Sequence, residues 1–413
     1  MKDIAIAKLI KEETKRQNET IDLIASENYV SKEVLAALGS PLTNKYAEGY
    51  SHARYYRGNV FIDQIEDLAK ERALKLFVPA KERENWGVNV QALSGSPANL
   101  AVYLALVPLG EKIMGLELAM GGHLTHGHPV SATGKIWKQI PYQVDQKTEK
   151  LDYDAIEKIA VTERPKLIVA GYSAYSRIID FKKFREIADK AGSLLMVDMS
   201  HFAGLVAGGV YPSPFAYADI VTTTTHKTLR GPRSALIFAK KELMPKINKA
   251  VFPGLQGGPH INQIAAVATA LAEAQSPAFK KYVRQIIENA QTLAAELQKL
   301  GWRIINKGTD THVFLMDVAA KNISGEEASV WLEQANIVVN KNTIPYDARG
   351  PMDPSGIRLG TPALTTRGMK EKEMKKIAQW IDAVLTKKES ADWRTEKIKK
   401  EVIALTKKFP LSY

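Results

Sequence analysis

Residues 181–200 read FKKFREIADKAGSLLMVDMS, a helical pattern followed at once by a short apolar run. In the first half, apolar residues recur every three or four positions, as they do on one face of a helix. In the second half they are consecutive, which is typical of a strand buried on both faces. Two similar runs flank this stretch, KLIVAG at 166–171 and ADIVTTTTHK at 218–227. This rhythm predicts an α/β domain with a largely parallel sheet.

The segments before and after this alternation of helices and strands predict an N-terminal part and a C-terminal part of the chain. Residues 1–75 show helical patterns around an irregular, tyrosine-rich loop. A long helical pattern at roughly 262–300 leads to two strand candidates, THVFLMDV (311–318) and IVVNKN (337–342). We therefore expect an N-terminal helical arm with an interface loop (1–75), a large domain (76–270) and a smaller α+β C-terminal domain (271–413).

The composition is that of a globular protein and excludes several other classes. Hydrophobic residues make up 45% of the 413 positions and charged residues 25%. Cysteine is absent, which excludes disulfides and thiolate metal ligands and favours a cytoplasmic location. No apolar run approaches the length of a membrane span, and the N-terminus predicts an amphipathic helix rather than a signal peptide.

The net charge of +12 raises nucleic acid as a partner. Near the C-terminus, however, the basic residues occur in helical patterns such as MKKIAQWIDAVL (374–385), in which the apolar positions share one face. This arrangement favours solvated helix faces, with electrostatic attraction of anionic substrates as a weaker interpretation. We therefore do not expect nucleic acid to be a partner.

Reactive side chains follow three of the predicted strands. Ser173 and Ser176 come after the run at 166–171, Asp198 and His201 come after the next buried run, and His226 and Lys227 come after the third. Parallel sheets bind ligands outside the carboxyl ends of their strands. A desolvated lysine is a nucleophile toward carbonyl carbon, and an aspartate can keep a pyridine nitrogen protonated. The pair therefore describes a pyridoxal phosphate site, although a surface lysine and a helix-capping aspartate would fit the spacing equally well.

Two glycine-containing turns could bind a phosphate group. In LSGSPANLAVYLAL (93–106), Ser94 and Gly95 precede a proline and a helix, whose exposed N–H groups bind anions. An ordinary serine N-cap is the alternative. FPGLQGGPH (252–260), which contains Gly258, is either a second source of backbone donors or simply a tight turn.

Three further stretches supply candidate ligand-binding side chains. Arg358, in PSGIRLGTP (354–362), could bind a carboxylate through two parallel hydrogen bonds, although a lone arginine is more often a surface residue. His123, in MGGHLTHGHPV (120–130), suits an imidazole stacked on a cofactor ring better than a metal ligand, because carboxylates are absent nearby; a loop histidine bonded to the backbone is the alternative. Glu48 lies among the tyrosines of residues 43–59, where it could move protons, or where the tyrosines could form a dimer interface or a small core.

Ten motifs, taken in order, resemble the serine hydroxymethyltransferase (glycine hydroxymethyltransferase) family. They are LIASEN (23–28), LTNKYAEGY (42–50), NVQALSGSPAN (89–99), GGHLTHG (121–127), PKLIVAGYSAYSR (165–177), VDMSHFAGLVA (197–207), VTTTTHKTLRGPR (221–233), FPGLQGGPH (252–260), NKNTIPYD (340–347) and SGIRLGTPALTTRG (355–368). The resemblance implies a fold type I, aspartate aminotransferase-like enzyme. It implies reversible transfer of the hydroxymethyl carbon of serine to tetrahydrofolate, giving glycine and 5,10-methylenetetrahydrofolate.

The resemblance also implies a role for individual residues. Lys227 would bind pyridoxal phosphate as a Schiff base, with Asp198 on the pyridine nitrogen and His123 stacked on the ring. The implied catalytic residues are Lys227, Glu48, His226, Thr224 and Tyr56. The implied cofactor-binding residues are Lys227, Asp198, His123, His201, Ser94, Gly95, Ser173, Tyr46 and Gly258. The implied substrate-binding residues are Ser26, Tyr56, Ser173, His201 and Arg358, and those for folate are Glu48, Leu118, Gly122, Leu124 and Asn342.

The family pattern further implies a homodimer or homotetramer in which Tyr46 and Gly258 come from a neighbouring subunit, without a metal ion or a membrane. The chain departs from that pattern at Ser51, His52 and Arg57, beside Glu48, and at Ser200, beside the residues that contact the ring. Two alternatives remain open at this point. One is a folate-independent aldolase for β-hydroxy amino acids, and the other is a basic RNA-binding protein with the same fold.

Overall fold

The computed structural model describes residues 2–386 and 393–412. Its α-helices are α1 (Ile4–Glu19), α2 (Lys32–Leu38), α3 (Val60–Phe77), α4 (Gly95–Leu106), α5 (Ala132–Ile136), α6 (Tyr153–Glu163), α7 (Phe181–Ala191), α8 (Ala203–Ala207), α9 (Met244–Lys249), α10 (Ile261–Ala274), α11 (Pro277–Lys299), α12 (Gly325–Gln334), α13 (Pro362–Thr366), α14 (Glu371–Leu385) and α15 (Trp393–Thr406). Its strands are β1 (Ile21–Asp22), β2 (Gly49–Tyr50), β3 (Ala53–Arg54), β4 (Trp86–Asn89), β5 (Lys112–Leu116), β6 (Lys138–Tyr142), β7 (Leu167–Gly171), β8 (Leu194–Asp198), β9 (Ile220–Thr224), β10 (Ala235–Lys240), β11 (Arg303–Ile304), β12 (Val313–Asp317), β13 (Ile337–Val338), β14 (Asn340–Asn342) and β15 (Gly356–Gly360).

The contacts of the chain divide it into two compact units. One is Val30–Arg284, and the other combines Met1–Tyr29 with Gln285–Tyr413. The three-part division expected from the sequence, at 75 and 270, stays a prediction. None of the helices in the described residues combines the length and the apolar character needed to cross a bilayer.

The unit Val30–Arg284 is built on a seven-stranded sheet with the order β4-β10-β9-β8-β7-β5-β6. The strands from β9 to β6 run parallel, and β10 pairs antiparallel with both β4 and β9. Strands β7 and β9 are buried along their whole length, because helices cover both faces of a sheet of this kind. The predicted α/β class with a largely parallel sheet is confirmed.

Helix α7 and strand β8 show how the sequence forms these elements. Asp180 caps α7 by accepting a hydrogen bond from the backbone N–H of Lys183, and Gly192 ends the helix in a left-handed conformation. The helix buries Phe181, Phe184, Ile187, Ala188 and Ala191 along one face. Strand β8 follows directly and carries Asp198 to the carboxyl edge of the sheet.

The long helical pattern expected at roughly 262–300 is two helices in the structure. Helix α10 ends at Ala274, and α11 begins at Pro277. Proline lacks the N–H that would continue a helix, and it favours the first helical position instead. The apolar periodicity continues across this break, which is why the pattern alone suggests one helix.

The second unit contains an antiparallel sheet with the order β11-β12-β15-β14. The N-terminal strand β1 pairs in parallel with β13, so that Ile21 lies opposite Ile337 and the first residues of the chain are part of this unit. Its core includes Phe314, Leu332 and Trp380. This mixture of helices with an antiparallel sheet confirms the smaller α+β part of the fold prediction.

Candidate active site

Asp198, the last residue of β8, is a buried carboxylate that three groups hold in place. Its Oδ1 accepts the backbone N–H of Ser200 at 3.1 Å. Its Oδ2 accepts Nε2 of His126 at 3.1 Å and Nδ2 of Asn99 at 2.9 Å. Burial alone would raise the pKa of Asp198, but the hydrogen bond and charge of His126, with smaller contributions from His123 and Ser200, together outweigh it and hold the pKa well below its usual range. The site therefore contains a buried negative charge.

Lys227 follows the neighbouring strand, three residues after β9 ends at Thr224. The register of the two strands places Asp198 opposite Thr222, so both side chains belong to the same edge of the sheet. Lys227 is buried, as is each threonine from Thr222 to Thr225. Burial disfavours the charged form of a lysine and makes its amine more nucleophilic.

The residues around Lys227 are fixed by hydrogen bonds from the threonines. Thr224 Oγ1 donates to the carbonyl of Ser200 at 3.3 Å, and Ser200 Oγ accepts the N–H of Thr224 at 3.0 Å. Thr228 Oγ1 donates to the carbonyl of His201 at 2.9 Å. These bonds join the loop after β8 to the loop after β9, and so they position Lys227 relative to Asp198.

His226, next to Lys227, is largely buried and neutral. Burial, with smaller contributions from the charges of Lys227 and Arg233, lowers the pKa of His226 to about 3. At neutral pH this ring therefore adds no positive charge beside the lysine.

Helix α4 presents its N-terminus to the end of β9. Ser94 makes no side-chain cap, so its hydroxyl is not occupied as the ordinary N-cap interpretation would require. A Cβ added to Gly95 would lie 2.7 Å from Cγ2 of Thr224, which explains the glycine at this close approach. The N–H groups of this terminus can bind an anion such as a phosphate.

The loop after β5 carries His123 in addition to His126. His123 Nδ1 lies 2.7 Å from Oγ1 of Thr125, and its ring centroid is 5.6 Å from that of His126. The backbone N–H of Ser173, after β7, donates to the carbonyl of Gly121 at 2.8 Å and attaches this loop to the next strand end. Leu118, Gly122 and Leu124 lie in the same loop, and His201 lies buried after β8.

A separate group of side chains surrounds Glu48. The hydroxyl of Tyr46 donates to Glu48 Oε1 at 3.2 Å, and this contact raises the pKa of Tyr46. Tyr56 packs edge-on against Tyr46 with centroids 5.1 Å apart. A Cβ added to Gly258 would lie 3.3 Å from the Tyr46 ring, so the two residues predicted to bind phosphate from a neighbouring subunit are in contact within one chain. Glu48 also lines an open cavity with Phe252 and neighbouring residues up to position 257.

The hairpin formed by β2 and β3 supports Glu48 through a buried ion pair that the sequence does not reveal. Arg54 donates to the carbonyls of Ala47 and Gly49, on either side of Glu48, at 3.0 and 2.8 Å. Its guanidinium group pairs with the buried carboxylate of Glu66 and with the partly buried carboxylate of Asp63. No local pattern indicates these partners, because they come from helix α3.

The residues at which the chain departs from the family pattern make specific contacts. His52, in a left-handed conformation, places Nε2 2.8 Å from Asp67 Oδ2, and Ser51 Oγ accepts Lys70 Nζ at 2.8 Å. The carbonyl of Arg57 accepts Lys45 Nζ at 2.9 Å. These contacts fix the hairpin tip to helix α3 and the segment after it to Lys45.

The second unit holds the remaining predicted residues. Arg358, on β15, donates from Nε to Asn340 Oδ1 at 3.1 Å and from Nη2 to Ser26 Oγ at 3.5 Å. Burial lowers the pKa of Arg358 to about 10. Asn342 lies two residues from Asn340 on β14, opposite Gly356. Arg358 and Ser26 are therefore in contact, and Asn342 lies on the strand that pairs with that of Arg358.

The residues present fit pyridoxal phosphate. The buried negative charge of Asp198 suits a cationic partner such as a protonated pyridine nitrogen. The open N-terminus of α4 suits the phosphate, and the buried amine of Lys227 suits the aldehyde carbon. Within the described parts of the chain, no three His, Cys, Asp or Glu residues are grouped so that they could hold a metal ion.

A fold of this kind, with this lysine and this aspartate at adjacent strand ends, defines a pyridoxal phosphate-dependent enzyme of fold type I. The family model described as serine hydroxymethyltransferase matches residues 1–381. The chain belongs to the serine hydroxymethyltransferase family, whose members depend on pyridoxal phosphate and use tetrahydrofolate.

Two relatives named serine hydroxymethyltransferase are similar over nearly the whole chain. The one from Acidobacterium capsulatum is 54% identical over 409 residues, which are 99% of this chain and 94% of the relative. The one from Koribacter versatilis is 52% identical over 409 residues, again 99% of this chain and 94% of the relative. The family prediction made from the ten motifs is confirmed.

Proposed function

We propose that Lys227, Asp198 and His123 hold the pyridoxal phosphate with which this protein carries out its serine hydroxymethyltransferase activity. That activity is the reversible conversion of serine and tetrahydrofolate into glycine and 5,10-methylenetetrahydrofolate. The observation that carries the assignment is the ionised, buried carboxylate of Asp198 in register with the strand that leads to Lys227. A buried carboxylate without a cationic partner would be costly.

Each side chain near the cofactor has a distinct task. Bound pyridoxal phosphate supplies an electron sink for the negative charge that develops on the α-carbon of the amino acid. Lys227 holds the cofactor covalently, and Thr224 fixes the backbone that carries the lysine. Because His226 is neutral, it places no second positive charge beside the amine of Lys227. Ser94 and Gly95 bind the phosphate at the start of α4, and His201 and Ser173 border the ring.

The amino acid is bound by its carboxylate. Arg358 presents a guanidinium group whose pKa burial lowers, and a carboxylate beside it would restore the preference for the charged form. Ser26, 3.5 Å from this guanidinium group, orients it and contacts the same carboxylate. Tyr56 helps to position the amino acid.

Glu48 exchanges the proton of the serine hydroxyl group. Its Oε1 accepts the hydroxyl of Tyr46, so Glu48 is held as a hydrogen-bond acceptor at the edge of an open cavity. Leu118, Gly122, Leu124 and Asn342 contact tetrahydrofolate together with Glu48.

Two subunits share each site in this proposal. Tyr46 and Gly258, which pack against each other in one chain, bind the phosphate held by the neighbouring chain. A two-fold dimer then contains two equivalent sites, each built from both chains, and a tetramer would contain two such dimers. The cytoplasmic location expected from the sequence stays a prediction.

Borohydride reduction of the holoenzyme tests the central assignment. Reduction fixes the cofactor on the lysine that holds it, and peptide mapping then identifies that residue. We expect a pyridoxyl label on Lys227 alone, and loss of the label in Lys227→Ala but not in the control variant Lys240→Ala. A label on a different lysine would remove Lys227 from the site. A separate sample of unreduced holoenzyme tests the use of folate. Addition of glycine to it should change the visible absorbance of the cofactor more strongly when tetrahydrofolate is present, whereas a folate-independent aldolase would show no such difference.

A further inference from the structure

We propose that Asn99 is a positioning residue that fixes both the carboxylate of Asp198 and the position of the proton on the ring of His123. The inference rests on the proposed roles of these two residues at the cofactor ring. It concerns the chain's own hydrogen bonds and adds a task that the family resemblance does not give to any residue.

Asn99 lies in the second turn of α4, the helix whose N-terminus is the proposed phosphate site. It is 1% exposed, and its amide makes three hydrogen bonds. Nδ2 donates to Asp198 Oδ2 at 2.9 Å and to Thr125 Oγ1 at 2.9 Å. Oδ1 accepts the hydroxyl of Thr222 at 2.8 Å. One buried side chain thus connects α4 to β8, to β9 and to the loop after β5.

The chemistry of these partners allows one orientation of the amide. An ionised carboxylate only accepts hydrogen bonds, so the amide nitrogen of Asn99 must face Asp198. The amide oxygen then faces Thr222, whose hydroxyl donates to it. Because both hydrogens of the amide nitrogen are used, Asn99 is a donor toward Thr125 and not an acceptor.

The direction of the next hydrogen bond follows from the backbone N–H of Thr125, which donates to His123 Nδ1 at 3.2 Å. Because Nδ1 accepts this bond, the hydroxyl of Thr125, 2.7 Å from the same nitrogen, donates to it as well. The Asn99 amide supports this direction, because it donates to the hydroxyl oxygen of Thr125 and leaves the hydroxyl hydrogen for His123. With two donors directed at it, Nδ1 carries a lone pair, and the proton of the neutral ring is on Nε2.

Both hydrogen bonds from the Asn99 amide nitrogen favour a positive charge on the pyridine nitrogen. Its bond to Asp198 orients the carboxylate that faces the pyridine nitrogen, and His126 donates to the same oxygen. Its bond through Thr125 keeps the ring of His123 neutral. An imidazolium group at this position would disfavour protonation of the nearby pyridine nitrogen, because like charges repel. The Asn99 amide therefore favours the protonated pyridine from two sides.

Four variants separate this role from a general contribution to folding. Asn99→Leu removes the amide at similar volume, and Thr125→Val removes only the hydroxyl donor. Thr125→Ser retains the hydroxyl and should rescue the Thr125→Val effects. Tyr103→Phe is the matched control, since Tyr103 is buried on the same helix and its hydroxyl has no hydrogen-bond partner within the described residues.

The direct readout is solid-state NMR of the holoenzyme with ¹⁵N-labelled histidine, in which His123→Asn assigns the His123 signals. We expect an unprotonated Nδ1 and a protonated Nε2 in the unsubstituted enzyme, in Tyr103→Phe and in Thr125→Ser. In Thr125→Val and Asn99→Leu we expect protonated Nδ1 to appear and to increase as the pH falls. The dissociation constant for pyridoxal phosphate, measured by fluorescence, should be roughly tenfold to a hundredfold higher in Asn99→Leu than in the unsubstituted enzyme. In Tyr103→Phe this constant should change by less than about threefold.

The outcomes distinguish this inference from the proposed function. If Asp198→Asn binds pyridoxal phosphate as tightly as the unsubstituted enzyme does, the role of Asp198 is wrong and the inference is overturned with it. If Asp198→Asn binds weakly but Thr125→Val and Asn99→Leu leave Nδ1 of His123 unprotonated, only the inference is overturned. Should Asn99→Leu fail to fold, as judged by circular dichroism, the comparison of Thr125→Val with Thr125→Ser decides it.

Discussion

Arg54 and Glu66 form an ion pair that is almost completely buried, with Nη2 of Arg54 2.6 Å from Oε2 of Glu66 and side-chain exposures of 3% and 0%. Glu66 also pairs with Lys70 at 2.7 Å and accepts Gln91 Nε2 at 3.0 Å. Gln91 donates as well to the carbonyl of Gly49. This buried group therefore holds the backbone on one side of Glu48 from two directions.

We expect Glu66→Gln to destabilise the protein by about 3–5 kcal/mol, because it removes the buried carboxylate that pairs with both Arg54 and Lys70 and leaves Arg54 with Asp63 alone. Urea denaturation measures this loss. The control is Glu13→Gln, which breaks the exposed pair between Glu13 and Arg16 and should cost about 0–1 kcal/mol. If both substitutions cost equally little, Asp63 alone is enough to compensate Arg54.

The residues that the sequence could indicate are those whose position in a strand or helix determines their surroundings. Asp198 and Lys227 follow apolar runs, and the carboxyl ends of parallel strands share one edge of the sheet. Asn99 and Arg54 gave no such signal, although Asn99 holds Asp198 and Arg54 supports the backbone beside Glu48. Asn99 and Asp198 are 99 positions apart in the sequence, and Arg54 is joined to Gln91 through Glu66 and through the carbonyl of Gly49. Neither periodicity nor spacing predicts contacts of this kind, because they depend on how separate elements pack.

His226 should make the protein less stable in mild acid. Its pKa is about 3 in the folded chain, whereas an unfolded chain has the ordinary value of about 6.5. Between these two values the unfolded state takes up a proton that the folded state does not. Above about pH 6.5, His226 therefore does not reduce the free energy of unfolding. As the pH drops from there toward 3, this free energy falls by up to about 1.4 kcal/mol per pH unit.

His226→Asn should remove this dependence, which urea denaturation of the cofactor-free protein between about pH 7 and about pH 5 would show. In this variant the unfolded state should take up about one proton fewer, relative to the folded state, than in the unsubstituted protein. The slope of the free energy of unfolding against pH should decrease accordingly. The exposed His260, substituted by Asn, provides the control and should leave the slope unchanged. An identical slope in His226→Asn would mean that the ring is protonated in the folded chain.

Arg358→Ala should weaken serine binding and leave pyridoxal phosphate bound. A charge-assisted hydrogen-bonded pair contributes about 1.5–3 kcal/mol, or roughly tenfold to a hundredfold in affinity. The serine affinity of Arg358→Lys should lie between that of the unsubstituted enzyme and that of Arg358→Ala, since lysine keeps the charge but lacks the planar guanidinium group. The measurement is a spectral titration with serine, and Arg303→Ala on the neighbouring part of the same sheet is the control. Unchanged serine affinity in Arg358→Ala would assign the carboxylate to another residue.

Glu48 and Lys227 should act in the same site from different subunits. The structure packs Tyr46 against Gly258 and brings Glu48 to Gly257, so these residues form one group within a chain. Lys227, Asp198 and His126 belong to the sheet edge. If the first group completes the site of a partner, two inactive variants can complement each other. Glu48→Gln and Lys227→Gln, each nearly inactive alone, are unfolded together in equal amounts and refolded.

Half of the refolded dimers should contain one chain of each variant. In a mixed dimer with shared sites, one site carries both substitutions and the other carries neither, so about a quarter of the unsubstituted activity should return. Lys227→Gln mixed with Asp198→Asn is the control, because both positions lie on one sheet edge and every site then keeps one defect. Recovery in the first mixture but not in the second supports sharing. If the first mixture stays as inactive as its parents while the unsubstituted enzyme refolds fully under the same conditions, Glu48 serves the lysine of its own chain.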